Sequence, residues 1–566
     1  MGQNASTEGA HDAVNDVEGD LAQKPERGIK LFRFVRAGNT GSWELASSNA
    51  SPRFYDSNED STTSGKADWF LEVGDIEARV DSELSYVMDL PGRRITFSAG
   101  EHCYALRFPN SEMFRSFAEE LNDKAFYNLT GLHNDESNRT KEMGADYAGI
   151  FFAKDISERM SEPMEVPGST PDVPSPQGET RDEQAMETNE DDDGSTYQGL
   201  IMGAGENNFL MRGRHFDVLR NVVGGVEDKG VTFTIGQLPG TPGPRTPGMH
   251  PYATPPKVLL AQSERKMNLL TPDNPNKLMH ADIETGKVVS TWSFKKDGVE
   301  INMKDIVHDD KAGQLDDRST FLGLDNNRLC KWDLRDPNGV VNTTPVVQYC
   351  PGGKDYSRGT NFQCMATSGD GFVAVGSKDG KVRLYDGKKM TQAKTAIPGL
   401  GAPITAIDVT HDGKWVLATT DKYLMVVKTT YEDDKGRDAN GFTSRMGGRG
   451  AVPRLLRLRP EDTIRTDGRP LSKGKFTWIT EKGMSERWVA ASCGNFSVVW
   501  NFTKVKNCGA ESLSFGGLPT SMDYIINSKD EDVVDSAFLH PKYAKNVALE
   551  QAALVVATPH RLFNMN

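Results

Sequence analysis

Two stretches of this chain repeat one another: "SGDGFVAVGSKDGKVRLYD" (368–386) and "THDGKWVLATTDKYLMVVK" (410–428). Asp370-Gly371 falls on Asp412-Gly413 and Asp379 on Asp421, an offset of 42 residues (412 minus 370). Each copy is a turn at Asp-Gly, a short apolar run, a second polar turn and another apolar run. Runs this short, rich in Val and Thr and bounded by turn residues, are strands rather than helices. A spacing of about 40 residues suits one four-stranded propeller blade. Such a sheet cannot bury both faces alone, but stacked radially each sheet covers its neighbours. The period therefore points to a mainly β chain built around a β-propeller.

Further copies fit the same frame. "FLGLDNNRLCKWD" (321–333) sets Trp332-Asp333 on Tyr385-Asp386, and "RWVAASCGNFSVVWN" (487–501) sets Trp500-Asn501 there. Trp332, Tyr385 and Trp500 are read as packing residues at a strand end. Asp333, Asp370, Asp379, Asp412 and Asp421 are read as architecture too, the last four as turn residues, because Asp bonds its own backbone in turns. Candidate blades near 257–295, 298–345, 362–398, 403–458, 475–504 and 521–565, with the strands at 199–236, make about seven. The small-residue runs "VLATT" and "VAASC" are expected nearest the channel, with the bulky aromatic one strand outward. The C-terminal "ALVVATPHRLFNMN" reads as inner blade strands, so closing the ring must borrow strands from upstream; residues 199–236 are assigned that task.

Upstream, four regions follow from composition. Residues 1–26 are polar and acidic, residues 131–198 form an acidic Pro/Ser-rich linker, and both lack the apolar content to offset chain entropy. Between them, residues 27–130 hold seven short strand-like runs and then "NSEMFRSFAEELNDKAFYNL", with Ser111 as N-cap and Met113, Phe114, Phe117, Leu121 and Phe126 near one face. Strands closed by one amphipathic helix match a PH-like β-sandwich. Residues 199–566 are the propeller, with its core repeats in 257–566.

Longer phrases carry a family resemblance. "STFLGLDNNRLCKWDLRD", "SRGTNFQCMATSGDGFVAVGSKDGKVRLY", "AKTAIPGLGAPITAIDVTHDGKWVLATTD", "NGFTSRMG", "AVPRLLRLRP" and "FSVVWNF" resemble the vacuolar import and degradation protein 27 family of fungi and its plant relatives. The resemblance runs over roughly 199–566 and implies a PH-like domain ahead of a WD-type propeller. It also implies a cytoplasmic protein linked to vacuolar import and degradation, and it carries over no catalytic residue and no cofactor.

The chemistry read from the residues agrees. The formal net charge is −14, which disfavours nucleic-acid binding through phosphate neutralisation. Six cysteines form no C-x-x-C pair, and His215, His280, His308 and His411 follow no ligand spacing, so no metal site and no disulfide framework is expected. No P-loop, H-E-x-x-H, G-x-S-x-G or EF-hand loop occurs. A non-catalytic scaffold that binds proteins through the propeller is the leading reading. The first alternative is a peripheral membrane adaptor: "MGQNAS" fits the N-myristoylation pattern at Gly2, and a second weak contact would come from the PH-like domain. Lys30, Arg33 and Arg36 precede its first hairpin, but the next strand, "SWELAS", offers no Arg to converge on a phosphoinositide. The second alternative is an enzyme with a site assembled across blades. Thr241, Thr246 and Thr254 precede Pro and are candidate phosphorylation sites.

Overall fold

The computed structural model describes residues 28–37, 40–58, 66–153, 183–186, 196–235, 257–296, 299–334, 361–388, 390, 392–543 and 553–565. Among them, seven small antiparallel sheets follow in succession around one axis. Their innermost strands are Gly199–Ile201, Lys257–Ala261, Asp305–His308, Phe362–Thr367, Ala406–Val409, Leu471–Phe476 and Asp535–Phe538, which begin blades 1 to 7. Each boundary between neighbouring blades is filled by a hydrophobic core. Leu417, Leu424 and Leu456 of blade 5, for example, pack on Phe476, Val489 and Trp500 of blade 6. The blades are thus held by face-to-face burial, the arrangement that a lone sheet lacks.

Trp332 shows why the repeat keeps an aromatic. It lies in the third strand of blade 3 (Leu329–Asp333), is 2% exposed, and packs on Phe294 of blade 2 with ring centroids 4.7 Å apart. Gly323 on the adjoining strand makes room for it: a Cβ there would stand 2.5 Å from the indole nitrogen. Trp500 and Tyr385 occupy third strands in the same way and are buried. The runs "VLATT" and "VAASC" sit one place further out than expected. They form second strands, Trp415–Thr419 and Trp488–Cys493, behind the innermost Ala406–Val409 and Leu471–Phe476. Likewise Tyr524–Ser528 pairs with Phe496–Asn501 as the outer strand of blade 6, not as part of the last blade.

Ring closure also differs from expectation. Residues 199–234 make a complete first blade of four strands. The borrowed strand is Glu183–Met186, inside the supposed linker, which pairs antiparallel with Leu562–Met565 and completes blade 7. Its four residues carry no apolar alternation, so backbone pairing, rather than side-chain pattern, recruits them.

The rest of the supposed linker is also partly structured. After the long helix Ser111–Thr130 comes a short one, Glu136–Met143, and then Phe151 and Phe152, both fully buried. The long helix is capped by Asn110, whose side chain accepts the Met113 N–H, not by Ser111. Phe114, Leu121 and Phe126 face the core as expected, but Met113 is exposed. Among the described residues eight strands stand ahead of it. Ile29–Ala37, Thr40–Ala50, Val87–Asp89, Arg94–Ala99 and His102–Arg107 share one sheet, while Arg53–Asp56, Trp69–Val73 and Ile76–Arg79 form another.

This N-terminal unit is not tethered loosely to the ring. A hairpin inserted in blade 6, Ser512–Ser514 and Leu518–Ser521, pairs on one side with Val87–Asp89. On the other side it pairs with Arg454–Leu456, the outer strand of blade 5. One hydrogen-bonded sheet therefore runs from the N-terminal unit into the propeller. Its hydrophobic core is likewise continuous with that between blades 4 and 5, with Phe152 against Phe515. Arg457, buried at this junction, donates to the Ser85 hydroxyl (3.2 Å), and Lys422 pairs with Glu83 (2.8 Å).

Candidate binding site in the central cavity

The seven innermost strands enclose a cavity of about 570 Å³. Small residues such as Ala366, Ala406 and Ala537 let the strands approach, and Leu200, Leu259 and Phe538 add apolar wall. Of the four described aspartates in this wall, Asp310 pairs with Arg318, and the other three lie in innermost strands on alternate blades. Asp305, Asp408 and Asp535 each use one oxygen on the following residue's N–H, at 3.0, 2.8 and 2.9 Å. The other oxygen accepts an N–H of the next blade: Met365 for Asp305 (3.3 Å), Phe476 for Asp408 (2.9 Å) and Leu200 for Asp535 (3.4 Å). These carboxylates staple blade 3 to 4, 5 to 6 and 7 to 1.

Each carboxylate also holds a lysine. Lys257 lies 3.3 Å from Asp305, Lys311 2.8 Å from Asp408, and Lys475 2.9 Å from Asp535. Lys473 stands 3.7 Å from Asp535 and donates to the Val534 carbonyl at 2.7 Å. It sits at an irregularity in its strand, where the register slips between Ser472 and Lys475, with φ at 53° in the left-handed region. That slip brings Lys473 and Lys475 both to the cavity. Burial disfavours the ionised Asp535, but Lys475 and Lys473 outweigh it and hold the carboxyl down to about 2. The Asp305 carboxylate raises Lys257, while burial lowers Lys473. Charge-assisted bonds of this kind are about twice as strong as neutral ones.

Among the described residues the cavity holds one thiol, Cys364, which burial pushes up to about 12, so it is not a thiolate nucleophile at neutral pH. Burial likewise pushes His308 down to about 4, leaving a neutral ring. Among the described residues no group of three or more His, Cys, Asp or Glu could hold a metal ion, and no helix is long and apolar enough to cross a membrane. His280 bonds Asn268 at 2.7 Å within blade 2.

Apart from His308, the described residues singled out from sequence lie away from this cavity. Asp379 locks its own hairpin, accepting the Lys381 N–H (3.1 Å) and the Arg383 guanidinium (2.8 Å). Asp412 accepts the Thr410 hydroxyl and the Lys414 N–H at 2.7 and 3.0 Å. The Asp421 carbonyl accepts Leu471 N–H of the next blade at 2.8 Å, and Asp370 pairs across to Lys482 at 3.2 Å. Asp333 closes its strand opposite Thr320. In the N-terminal unit, Arg33 meets His102 at 2.9 Å. Gly2, Thr241, Thr246 and Thr254 lie outside the described residues.

Sequence reasoning missed the cavity residues, although a signal exists. "DIVHDD" at 305–310 and "DVTHDG" at 408–413 are two copies of one phrase, each opening on a stapling aspartate.

Comparison with known proteins supplies the context. The family model described as the VID27 C-terminal WD40-like domain matches residues 245–562, and a domain of unknown function, DUF7135, matches residues 18–144. Vacuolar import and degradation protein 27 of Schizosaccharomyces pombe is 27% identical over 305 residues, 53% of this chain and 36% of that protein. Its namesake in Saccharomyces cerevisiae is 31% identical over 257 residues, 45% of this chain and 32% of that protein. The chain thus spans about a third of the length of the curated relatives it matches. Among solved structures, the β-propeller domain of Cps50 (Swd1) from Myceliophteria thermophila aligns over 68% of this chain and 98% of its own, at 11% identity and TM-score 0.43.

Proposed function

The chain belongs to the VID27 family, and from that premise we propose that it is a non-catalytic platform that binds proteins in the course of their import and degradation. One observation carries this reading: the central cavity is built for holding rather than reacting. Its three stapling carboxylates are committed to backbone N–H groups and lysines, and its thiol is kept protonated. The surrounding strands are fixed by inter-blade cores, so a partner meets a preformed surface and loses little affinity to ordering it. Because the N-terminal sheet continues into blades 5 and 6, the two regions present one composite surface in a fixed orientation.

Amine-reactive cross-linking of the full chain during affinity purification tests the reading. Partner cross-links are expected to concentrate on Lys257, Lys473 and Lys475. Cross-links confined to the outer rim, with none at these three lysines, would overturn it.

A further inference from the structure

We propose that one end of the central cavity is a receptor for an acidic, partly apolar peptide segment of a partner protein, whose carboxylate seats among Lys257, Lys473 and Lys475. This rests on the platform reading above and names the chemistry of what that platform holds.

Charge and exposure carry the inference. Lys257, Lys473 and Lys475 come from blades 2 and 6 and share the cavity with Asp305 and Asp535. The cavity's other charges are matched, Lys311 with Asp408 and Asp310 with Arg318 from outside the wall, so at this end three ammoniums face two carboxylates. The signs are also sorted by depth. The aspartate side chains are only 6% and 11% exposed, whereas the lysines are 58%, 41% and 36% exposed. An incoming group meets donors first, because the carboxylates behind them are turned to the backbone of the next blade. Lys473 is the surplus cation. Its donor reaches a neutral carbonyl at 2.7 Å and its nearest carboxylate, already bound by Lys475, only at 3.7 Å. Burial lowers it against the pull of Asp535, and Lys475 and Lys257 lower it further by like-charge repulsion that an anion would relieve.

The rest of the cavity selects a peptide over a bare anion. The same wall carries the apolar side chains of Leu200, Met202, Leu259 and Phe538, and at about 570 Å³ the cavity lies in the range of ligand pockets. A segment that alternates acidic and apolar side chains satisfies both halves. The chain as a whole carries −14, so acidic segments are repelled elsewhere and rewarded here, which is a source of selectivity.

The test titrates the full chain with three probes: a fluorescent peptide alternating Glu and Leu, the same peptide with Gln for Glu, and inorganic phosphate. The acidic peptide is expected to bind about tenfold more tightly than its Gln counterpart, the worth of one charge-assisted contact. Lys473→Met should cost a similar factor, and Lys414→Met, on an outer turn, should cost nothing. In the unmutated protein the bound peptide should protect Lys473 from reductive methylation, which reads the site even if Lys473→Met perturbs the fold. Equal binding of the Glu and Gln peptides, or phosphate binding as tightly as the peptide, would overturn the inference. So would undiminished methylation of Lys473 at saturation. Those results with partner cross-links still at the three lysines would sink the acidic-peptide inference and leave the platform reading standing.

Discussion

Asp535→Asn is the sharpest perturbation of the ring. Asp535 opens the first strand of blade 7 and is the group through which the last blade grips the first, at Leu200 N–H. It is almost fully buried, and its carboxyl is held down at about 2 against an ordinary 3.8. A difference of nearly two pH units corresponds to about 2 kcal/mol of stabilisation of the folded state. Asn keeps the size and a carbonyl acceptor but removes the charge that compensates Lys475 and Lys473. Opening of the blade 7 to blade 1 junction should then be easier by about 2 kcal/mol, or roughly thirtyfold in the exchange rate of the Leu200 amide. Hydrogen–deuterium exchange resolved to that amide is the assay. The sign with pH follows from the depressed value: the contribution is complete above about pH 4 and disappears as pH falls towards 2. Wild type and variant should therefore differ at pH 7 and converge near pH 2. Unchanged protection of Leu200 at pH 7, or a difference that persists at pH 2, would refute the reasoning.

Three other outcomes are expected. Trp332→Ala removes the side chain that fills the blade 2 to blade 3 interface beside Phe294 and should cost about 3–5 kcal/mol, seen as a lower unfolding midpoint in urea. Proline at both Gln184 and Ala185 should open blade 7: successive N–H groups point to opposite sides, so one of the two must face Leu562–Met565. Limited proteolysis should then cut within 553–565, whereas the parent is resistant there. Cys364 should resist alkylation by iodoacetamide at pH 8 in the folded chain, since burial holds it as a thiol, and react once the chain is unfolded.

The parts of the fold visible in the sequence are those where local pattern and final position coincide. Asp370-Gly371 and Asp412-Gly413 mark hairpin turns whatever surrounds them, and the aromatic of the third strand, Trp332, Tyr385 or Trp500, recurs because every blade buries it against a neighbour. The innermost strands lack such marks. Ala406–Val409 has four residues and no turn signature of its own, so the more apolar Trp415–Thr419 took its place in the expected order. Glu183–Met186 was illegible for a different reason: its role comes from the ring needing one more strand at that point, not from anything in its side-chain pattern. The merging of the N-terminal sheet with blades 5 and 6 depends on a hairpin within blade 6, a contact between distant parts of the chain that no local period encodes. The cavity lysines stayed hidden because "SKGK" looks like a polar turn. Only the slip in register carries both ammoniums inward. The repeated "DIVHDD" and "DVTHDG" could have disclosed two of the three aspartates.

The measurement closest to the centre of all this is quantitative mass spectrometry of proteins co-purifying with the full chain and with its Lys473→Met variant, which leaves the Lys257–Asp305 and Lys475–Asp535 pairs in place, both checked for a folded ring. A discrete set of partners present with the parent and depleted from the variant is the expected result. The same partners recovered in equal amounts from both would contradict a platform that binds through its central cavity.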